Sequence, residues 1–289
     1  MAWNCYEVVF RLRTPAHIGR GSVGNVQRTR PYITGRVLWG ALTMRLTRDL
    51  AGQQRKVAKA QAYRDIGEQV HQQLTYTYFY SATMNGGSYQ VAWPWENPSR
   101  FRYRFLSSYN STALSYPQQS AATGMLHEVE FLAPHTIDTG EPVFFVGYIF
   151  ASGGCTLPWQ AACQRLQVGG ERGYGWGDLA LIRCQPADGD TRLFEQVRFD
   201  GRNERPVLQI EAGQPLLAHT LANNIIANGE LEPLVGREWR HHPGQQVAHS
   251  GVCFVPGSTL DRNSTAPAYF SVERFGIWKP HTTDTNRYV

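Results

Sequence analysis

Five glycines within nine residues constrain this chain more than any other feature: Val168-Gly169-Gly170-Glu171-Arg172-Gly173-Tyr174-Gly175-Trp176-Gly177. Glycine loses more backbone freedom on ordering than any other residue. Such density therefore calls for a loop that turns through left-handed conformations or approaches another chain closely. Backbone N–H groups in such a loop form concavities that hold anions. Arg172 adds a charge, and Tyr174 and Trp176 offer ring faces to a base or ribose. Ahead of the loop, Thr156 suits a helix cap and Pro158 a first helical turn. Trp159, Ala162, Cys163 and Leu166 then follow helical spacing, and Gly169 suits the residue just past a helix end. Leu179-Ala180-Leu181-Ile182 reads as a strand. The predicted unit is helix, glycine loop, strand. A tight connection that is merely glycine-rich also fits, but the interleaved basic and aromatic residues favour contact with nucleic acid.

Composition narrows the class. The chain has 289 residues, 42% of them hydrophobic and 12% aromatic, with a net charge of +5. That length allows one large or two modest domains with a real core, and the charge favours an acidic partner. The five cysteines, Cys5, Cys155, Cys163, Cys184 and Cys253, form no CxxC pair. They read as reduced thiols rather than a disulfide frame or zinc site. No apolar run reaches the roughly 18 residues of a membrane span, and the N-terminus lacks a signal-peptide pattern, so a cytoplasmic protein without membrane contact is expected.

Taken in order, Tyr6 to Arg13 reads as a first strand. Thr14 to Thr34 reads as a long loop carrying His17, Arg20, Arg28 and Arg30 and no acidic residue, a composition suited to a phosphate backbone or to a solvated loop. Leu38, Leu42, Leu46 and Leu50 step by four and predict a helix, with Arg36 off its apolar stripe. Gln53 to Leu74 predicts a second helix, and Thr75 to Thr83 a strand. Arg100-Phe101-Arg102-Tyr103-Arg104-Phe105 alternates basic with aromatic residues at period two. As a strand it would carry its arginines on one face, for RNA or simply for solvent with the aromatics in the core. Ser107 to Thr123 reads as a mobile insertion. Met125 to Leu132 and Pro142 to Ala151 predict two further strands. The order is that of an α+β, ferredoxin-like (RRM-like) βαββαβ domain with an elaborated middle. It spans residues 1–187, with a thumb at about 85–123 and the glycine loop at 168–177. Residues 188–289 read as a smaller, β-rich domain, with a strand near Val207 to Ile210, a short helix over Leu216 to Ile226, and strands near Gly251 and over Phe270 to Trp278. Lys279 to Val289 reads as a polar tail.

The glycine loop resembles that of the RAMP superfamily, the RNA-binding subunits of CRISPR effector complexes. Thr14-Pro15-Ala16-His17-Ile18-Gly19 resembles the "P-x-H-x-G" end of that family's first strand. Pro31 to Leu42 resembles its "P-x-I-P-G-S-x-L-x-G-A-L" segment, with Thr34 and Arg36 in place of proline and serine. Gly124 to Phe131 resembles its "G-x-L-x-x-x-E-x-L" strand, and Gly251 to Leu260 resembles a strand of the subunits that cap the 5′ end of the guide. The family's repeat-processing endoribonucleases carry the loop near the C-terminus, and its target-cleaving backbone subunits use an aspartate in the loop after the first strand. Gly177 lies far from the end of this sequence, and Thr14 to Thr34 holds no aspartate. The resemblance therefore implies the third, non-enzymatic role, that of the Cas-five-type subunit of type III-related systems. Such a subunit grips the 5′ repeat-derived handle of the guide RNA. Its implied partners are the guide, the neighbouring backbone subunits, a nuclease or large subunit and, indirectly, target RNA or DNA.

The RNA-contacting set expected on these grounds is His17, Arg20, Arg28, Arg30, Arg36, Arg102, Arg104, Gly169, Gly170, Arg172, Gly173, Tyr174, Gly175 and Trp176, with no cofactor and no metal. A metal-independent endoribonuclease using His17 or Tyr32, a Cas-seven-type backbone subunit and an aromatic-rich carbohydrate module remain the alternatives. His241, His242 and His249 lack partners at metal-ligand spacing. Gly19 to Gly24 lacks the G-K-[ST] ending of a phosphate-binding P-loop.

Overall fold

The strand Phe144–Ser152 is buried at all nine positions, because each of its faces meets a different layer. In the computed structural model, which describes residues 2–116, 119–187, 192–223, 225–238, 244–261 and 267–281, its alternate side chains divide by parity, as a pleated strand requires. Phe145, Ile149 and Ala151 join Val8, Phe10 and Leu12 beneath the helices. Phe144, Val146, Tyr148 and Phe150 join Trp3, Cys5 and Val9 against a second sheet. At Gly147 the ring of Phe79 occupies the space a side chain would need.

The sheet around this strand runs Leu166–Gln167, Asp178–Pro186, Trp3–Leu12, Phe144–Ser152, Phe79–Asn85, Tyr32–Ile33, and neighbouring strands are antiparallel. Leu74–Tyr76 and Ser88–Val91 extend it. The helix Gly35–Gln53 packs Leu38, Ala41, Leu42 and Leu46 onto one face, as the four-residue spacing predicts. Ala60–Gln73 is the second helix. The other face is covered by a seven-stranded sheet ordered Arg198–Asp200, Val207–Ile210, Ala268–Val272, Trp278–Pro280, Thr220–Leu221, Gln246–Phe254, Leu231–Glu238. Leu208, Ile210, Phe270, Val272 and Trp278 fill the interface. The architecture is mixed α and β, with antiparallel sheets dominating and few helices.

A smaller sheet corrects two readings. Thr14 to Thr34 is not a simple loop: Gly19–Val23 and Val26–Thr29 form a hairpin. Val26–Thr29 pairs in parallel with His127–Leu132, whose other edge takes Leu106–Ser111. Part of the expected insertion is therefore sheet. Pro98–Phe105 is a helix rather than a strand. Asn97 accepts from the Arg100 N–H at 3.0 Å, Pro98 occupies the first turn, and Phe101 and Phe105 share one buried face. Basic–aromatic alternation over six residues yields to a cap and an i, i+4 aromatic pair. Arg102 and Arg104, two apart on a helix, thus point to different neighbours.

Two helical expectations also change. The helix before the glycine loop covers only Trp159–Cys163. The Thr156 N–H instead donates to Gln73 Oε1 at 2.8 Å, and Leu166 leaves the helical stripe for the sheet edge. Leu216 to Ile226 contains no helix among its described residues: Thr220–Leu221 is a strand wedged between Trp278–Pro280 and Gln246–Phe254. Phe270 to Trp278 is interrupted by a 3₁₀ turn at Arg274–Gly276. Residues 282–289 of the expected tail lie outside the described residues.

Phe150 tests the double-sided burial. Its ring stacks on Phe199 with centroids 5.0 Å apart. Phe150→Ala is expected to cost about 3–5 kcal/mol, read as a lower urea midpoint with an unchanged transition slope.

Candidate nucleic-acid interface

The glycine loop is tied at its base and free at its tip. The Gly170 N–H donates to the His17 carbonyl at 2.8 Å and the Gly177 N–H to the Pro15 carbonyl at 2.6 Å. Thr14 Oγ1 donates to the Gly175 carbonyl and accepts from the Asp178 N–H, both at 2.9 Å. Inside the loop, Gln167 Nε2 donates to the carbonyls of Arg172 and Trp176 at 3.1 and 2.9 Å. Gly169 and Gly177 sit at φ +79° and +80°, and a Cβ at either would run into the carbonyl of His17 or Val168. Their glycine requirement is therefore met within the chain. Gly173 and Gly175 face open space. Tyr174 is 82% exposed, and Trp176 packs edge-on against Phe131 at 5.1 Å.

The segment after the first strand holds the loop and is itself held. His17 is buried, and its Nδ1 lies 2.7 Å from the carbonyl of Glu130. A carbonyl only accepts, so Nδ1 carries the proton. The Glu130 carboxylate accepts from Arg28 Nε at 3.1 Å, from the Thr29 N–H at 3.0 Å and from Arg102 Nη2 at 2.6 Å. One buried acid thus gathers His17, Arg28 and Arg102, three residues of the expected set. Glu130 is the acid of the Gly124–Phe131 motif, and that position was the available signal for it.

Most of the remaining arginines are neutralised. Arg30 pairs with Glu232 at 2.8 Å, and Arg20 lies 3.7 Å from Glu232 and 3.9 Å from Glu230. Arg36 meets Glu238 at 3.3 Å and covers the ring of Phe275 at 3.8 Å. Arg104 meets Glu141 at 2.5 Å and Asp138 at 3.5 Å. The acid-free Thr14–Thr34 segment receives its acids from elsewhere in the sequence. Arg172 differs: among the described residues no carboxylate pairs with it, and its Nη1 meets the thioether of Met44, a weak acceptor, at 3.0 Å. Gly169, Gly170, Gly173, Tyr174, Gly175 and Trp176 share its loop, whereas Arg30 and Arg36 are drawn into contacts with the second sheet.

Behind Arg30 lies a buried relay that no sequence signal marked. Tyr78 Oη lies 2.7 Å from His219 Nδ1, and His219 Nε2 lies 2.5 Å from Glu232 Oε1. The carboxylate accepts from Nε2–H, so Nδ1 accepts from the phenol. Burial lowers the His219 pKa despite the favourable hydrogen bond that its ring donates to Glu232. Burial alone would raise that of Glu232, but the His219 hydrogen bond and the Arg30 charge hold it at about 2. The five cysteines are free, and burial pushes the Cys5 and Cys163 thiols up. No cluster of three or more metal-ligating side chains occurs among the described residues; His241 and His242 lie outside them. No helix among them is long and apolar enough to cross a membrane.

No protein-family model matches the sequence, and no curated protein matches it. Solved structures do. A chain of the Type III-B Cmr-beta assembly bound to cognate target RNA and AMPPnP superposes with a TM-score of 0.50 at 11% identity, covering 89% of this chain and 86% of that one. A chain of the assembly bound to cognate target RNA gives 0.49 at 11% identity over the same shares. One from the apo state gives 0.40 at 11% identity over 62% of this chain and 96% of that one. At this identity the first match establishes a likeness of fold.

The pH dependence of stability follows from a second buried histidine. His71 stacks on Trp39 at 4.7 Å, and burial, reinforced by Arg274, Arg205 and Arg36, lowers its pKa from 6.5 to about 3. The unfolded chain binds a proton there below pH 6.5 and the folded chain does not, so stability falls as pH drops from 6.5 toward 3. His71→Phe should keep the stacking and flatten that part of the melting-temperature profile.

Proposed function

We propose that this chain is a non-catalytic, RNA-binding subunit of a CRISPR effector complex that grips the 5′ repeat-derived handle of the guide RNA beside a neighbouring backbone subunit. The observation that carries the reading is Arg172, which no carboxylate pairs among the described residues, at the exposed tip of a loop whose base is fixed by backbone hydrogen bonds. A cation without a carboxylate among the described residues, beside an exposed tyrosine, suits a phosphate and a stacked base. The strand order Asp178–Pro186, Trp3–Leu12, Phe144–Ser152, Phe79–Asn85 supports a ferredoxin-like core, and the likeness to a Cmr-beta chain fits the same assignment. The division near residue 187 belongs to this reading. The central strand Phe144–Ser152 has no open face, so in this reading RNA meets the rim and the glycine loop rather than stacking across the middle of the sheet.

A non-catalytic role is supported by His17. Its ring is buried and its Nδ1 is committed to the Glu130 carbonyl, which suits positioning of the loop better than proton transfer. The purified chain is expected to leave repeat RNA intact with or without divalent metal. Site-specific cleavage lost in His17→Ala would establish the enzyme instead.

Binding is tested directly on guide RNA. RNA co-purified without nuclease treatment should be enriched in one repeat-derived 5′ sequence. Affinity should fall with salt at about −0.7 in log–log slope per phosphate neutralised on a single strand. Arg172→Ala should fold normally and lose about 1.5–3 kcal/mol of RNA binding. Gly175→Val places a β-branched residue at φ +82° and should also lower the melting temperature. If both variants bind like the parent, the loop is only a connection.

A further inference from the structure

A cavity of about 750 Å³ opens between the Gly19–Thr29 hairpin and the second sheet. Its volume lies within the roughly 300–1,000 Å³ of small-molecule sites. We propose that it seats a single nucleotide unit, with the base against Trp95 and the phosphate at Arg28 and Arg102.

Three features of the cavity point to that ligand. The first is an aromatic wall that is held in place. Trp95 stacks on Trp93 with centroids 5.0 Å apart, and the Val255–Ser258 turn approaches it so closely that a Cβ on Gly257 would lie 2.7 Å from the indole. Val23, Phe101 and Leu106 extend the apolar lining, a surface suited to a planar base rather than to a hydrated ion.

The second is an uneven distribution of charge between two clusters. In one, Arg20 and Arg30 meet Glu230 and Glu232, two cations against two carboxylates. In the other, Arg28 and Arg102 share the single carboxylate of Glu130, leaving one positive charge in excess. Glu130 engages Arg28 through Nε and Arg102 through one Nη. The remaining guanidinium donors are left for an anion, and the two side chains are 39% and 48% exposed. Paired, pre-oriented guanidinium forks match the oxygens of a phosphate, while Glu230 and Glu232 turn it away from the other cluster. The third feature is Ser258, which lines the cavity. Its hydroxyl is covered and has no hydrogen-bond partner among the described residues, and rotation about the Cα–Cβ bond would offer it to a polar edge of the base or the ribose.

The same chemistry arrives as a free nucleotide or as one nucleotide of a bound strand. Only the second source rests on the RNA-binding reading, and the glycine loop is not part of this site. The full-length chain is titrated with adenosine monophosphate, ribose 5-phosphate and a short oligoadenylate, following tryptophan fluorescence and calorimetric heat. Arg28→Ala and Arg102→Ala are each expected to fold, because the other arginine and the Thr29 N–H still satisfy Glu130; thermal melting checks this. Each should weaken nucleotide binding about tenfold or more, the loss of a charged hydrogen bond. Tight adenosine monophosphate with weak ribose 5-phosphate identifies a free-nucleotide site. Binding of the oligoadenylate alone, weakened in both variants, identifies a seat for a strand. Ribose 5-phosphate as tight as adenosine monophosphate overturns the base seat. Failure of the parent to bind any of the three ligands, or unchanged binding in both variants, overturns the site altogether. Loss of guide RNA in Arg172→Ala would still support the glycine-loop reading, so the two failures are distinguishable.

Discussion

Burial of one sheet on both of its faces is the constraint from which the rest follows. Phe144–Ser152 has no solvent side, so its odd residues need helices and its even residues need another sheet. Each fully buried Phe or Ile is worth about 1.5–3 kcal/mol, and Phe10, Phe79, Phe145, Ile149 and Phe150 together make separation of the layers prohibitive. The aromatic content of the chain is explained mainly by this packing. Tyr32, Tyr78, Tyr80 and Trp278 lie in the core between the two sheets rather than on a stacking surface.

The ion pairs sit at the margins of that packing and decide where free charge is left. Arg30 and Arg36 reach from the first half of the chain to Glu232 and Glu238 on Leu231–Glu238, where they join the layers around an apolar centre. Gly236 permits this, since a Cβ there would overlap the Arg36 guanidinium. Such half-buried pairs contribute modestly in themselves. Their larger effect is subtractive, because arginines committed to carboxylates offer less to a phosphate, and among the arginines expected to contact RNA the available charge contracts toward Arg172 and the Arg28–Arg102 pair.

Much of this was legible in the sequence where a local rule governed. The four-residue leucine spacing placed the first helix, β-rich stretches placed the central strands, and glycine density marked a loop that does turn through left-handed conformations at Gly169, Gly175 and Gly177. Reading failed where a distant partner decided. Nothing near Arg28 or Arg30 in the sequence announces Glu130 or Glu232, which lie 102 and 202 residues further along. Arg100 to Phe105 failed for the opposite reason, since a cap at Asn97 and two phenylalanines outweighed an alternation too short to specify a strand. Gly35 shows a third case. A Cβ there would strike the backbone of Phe275, so its reason lies in a turn 240 residues later.

The order in which the layers occur along the chain has a consequence for biosynthesis. The helices and the sheet they cover are complete by Pro186, whereas the strands that close the opposite face run on to Trp278–Pro280. During translation the emerging polypeptide therefore carries Tyr78, Tyr80, Val146 and Phe150 on an uncovered surface from the completion of Asp178–Pro186 until Trp278–Pro280 follows. Vectorial folding leaves that surface to a chaperone or to the ribosome's own surroundings until Trp278 emerges, and a nascent chain stalled before that point is a substrate for aggregation and quality control.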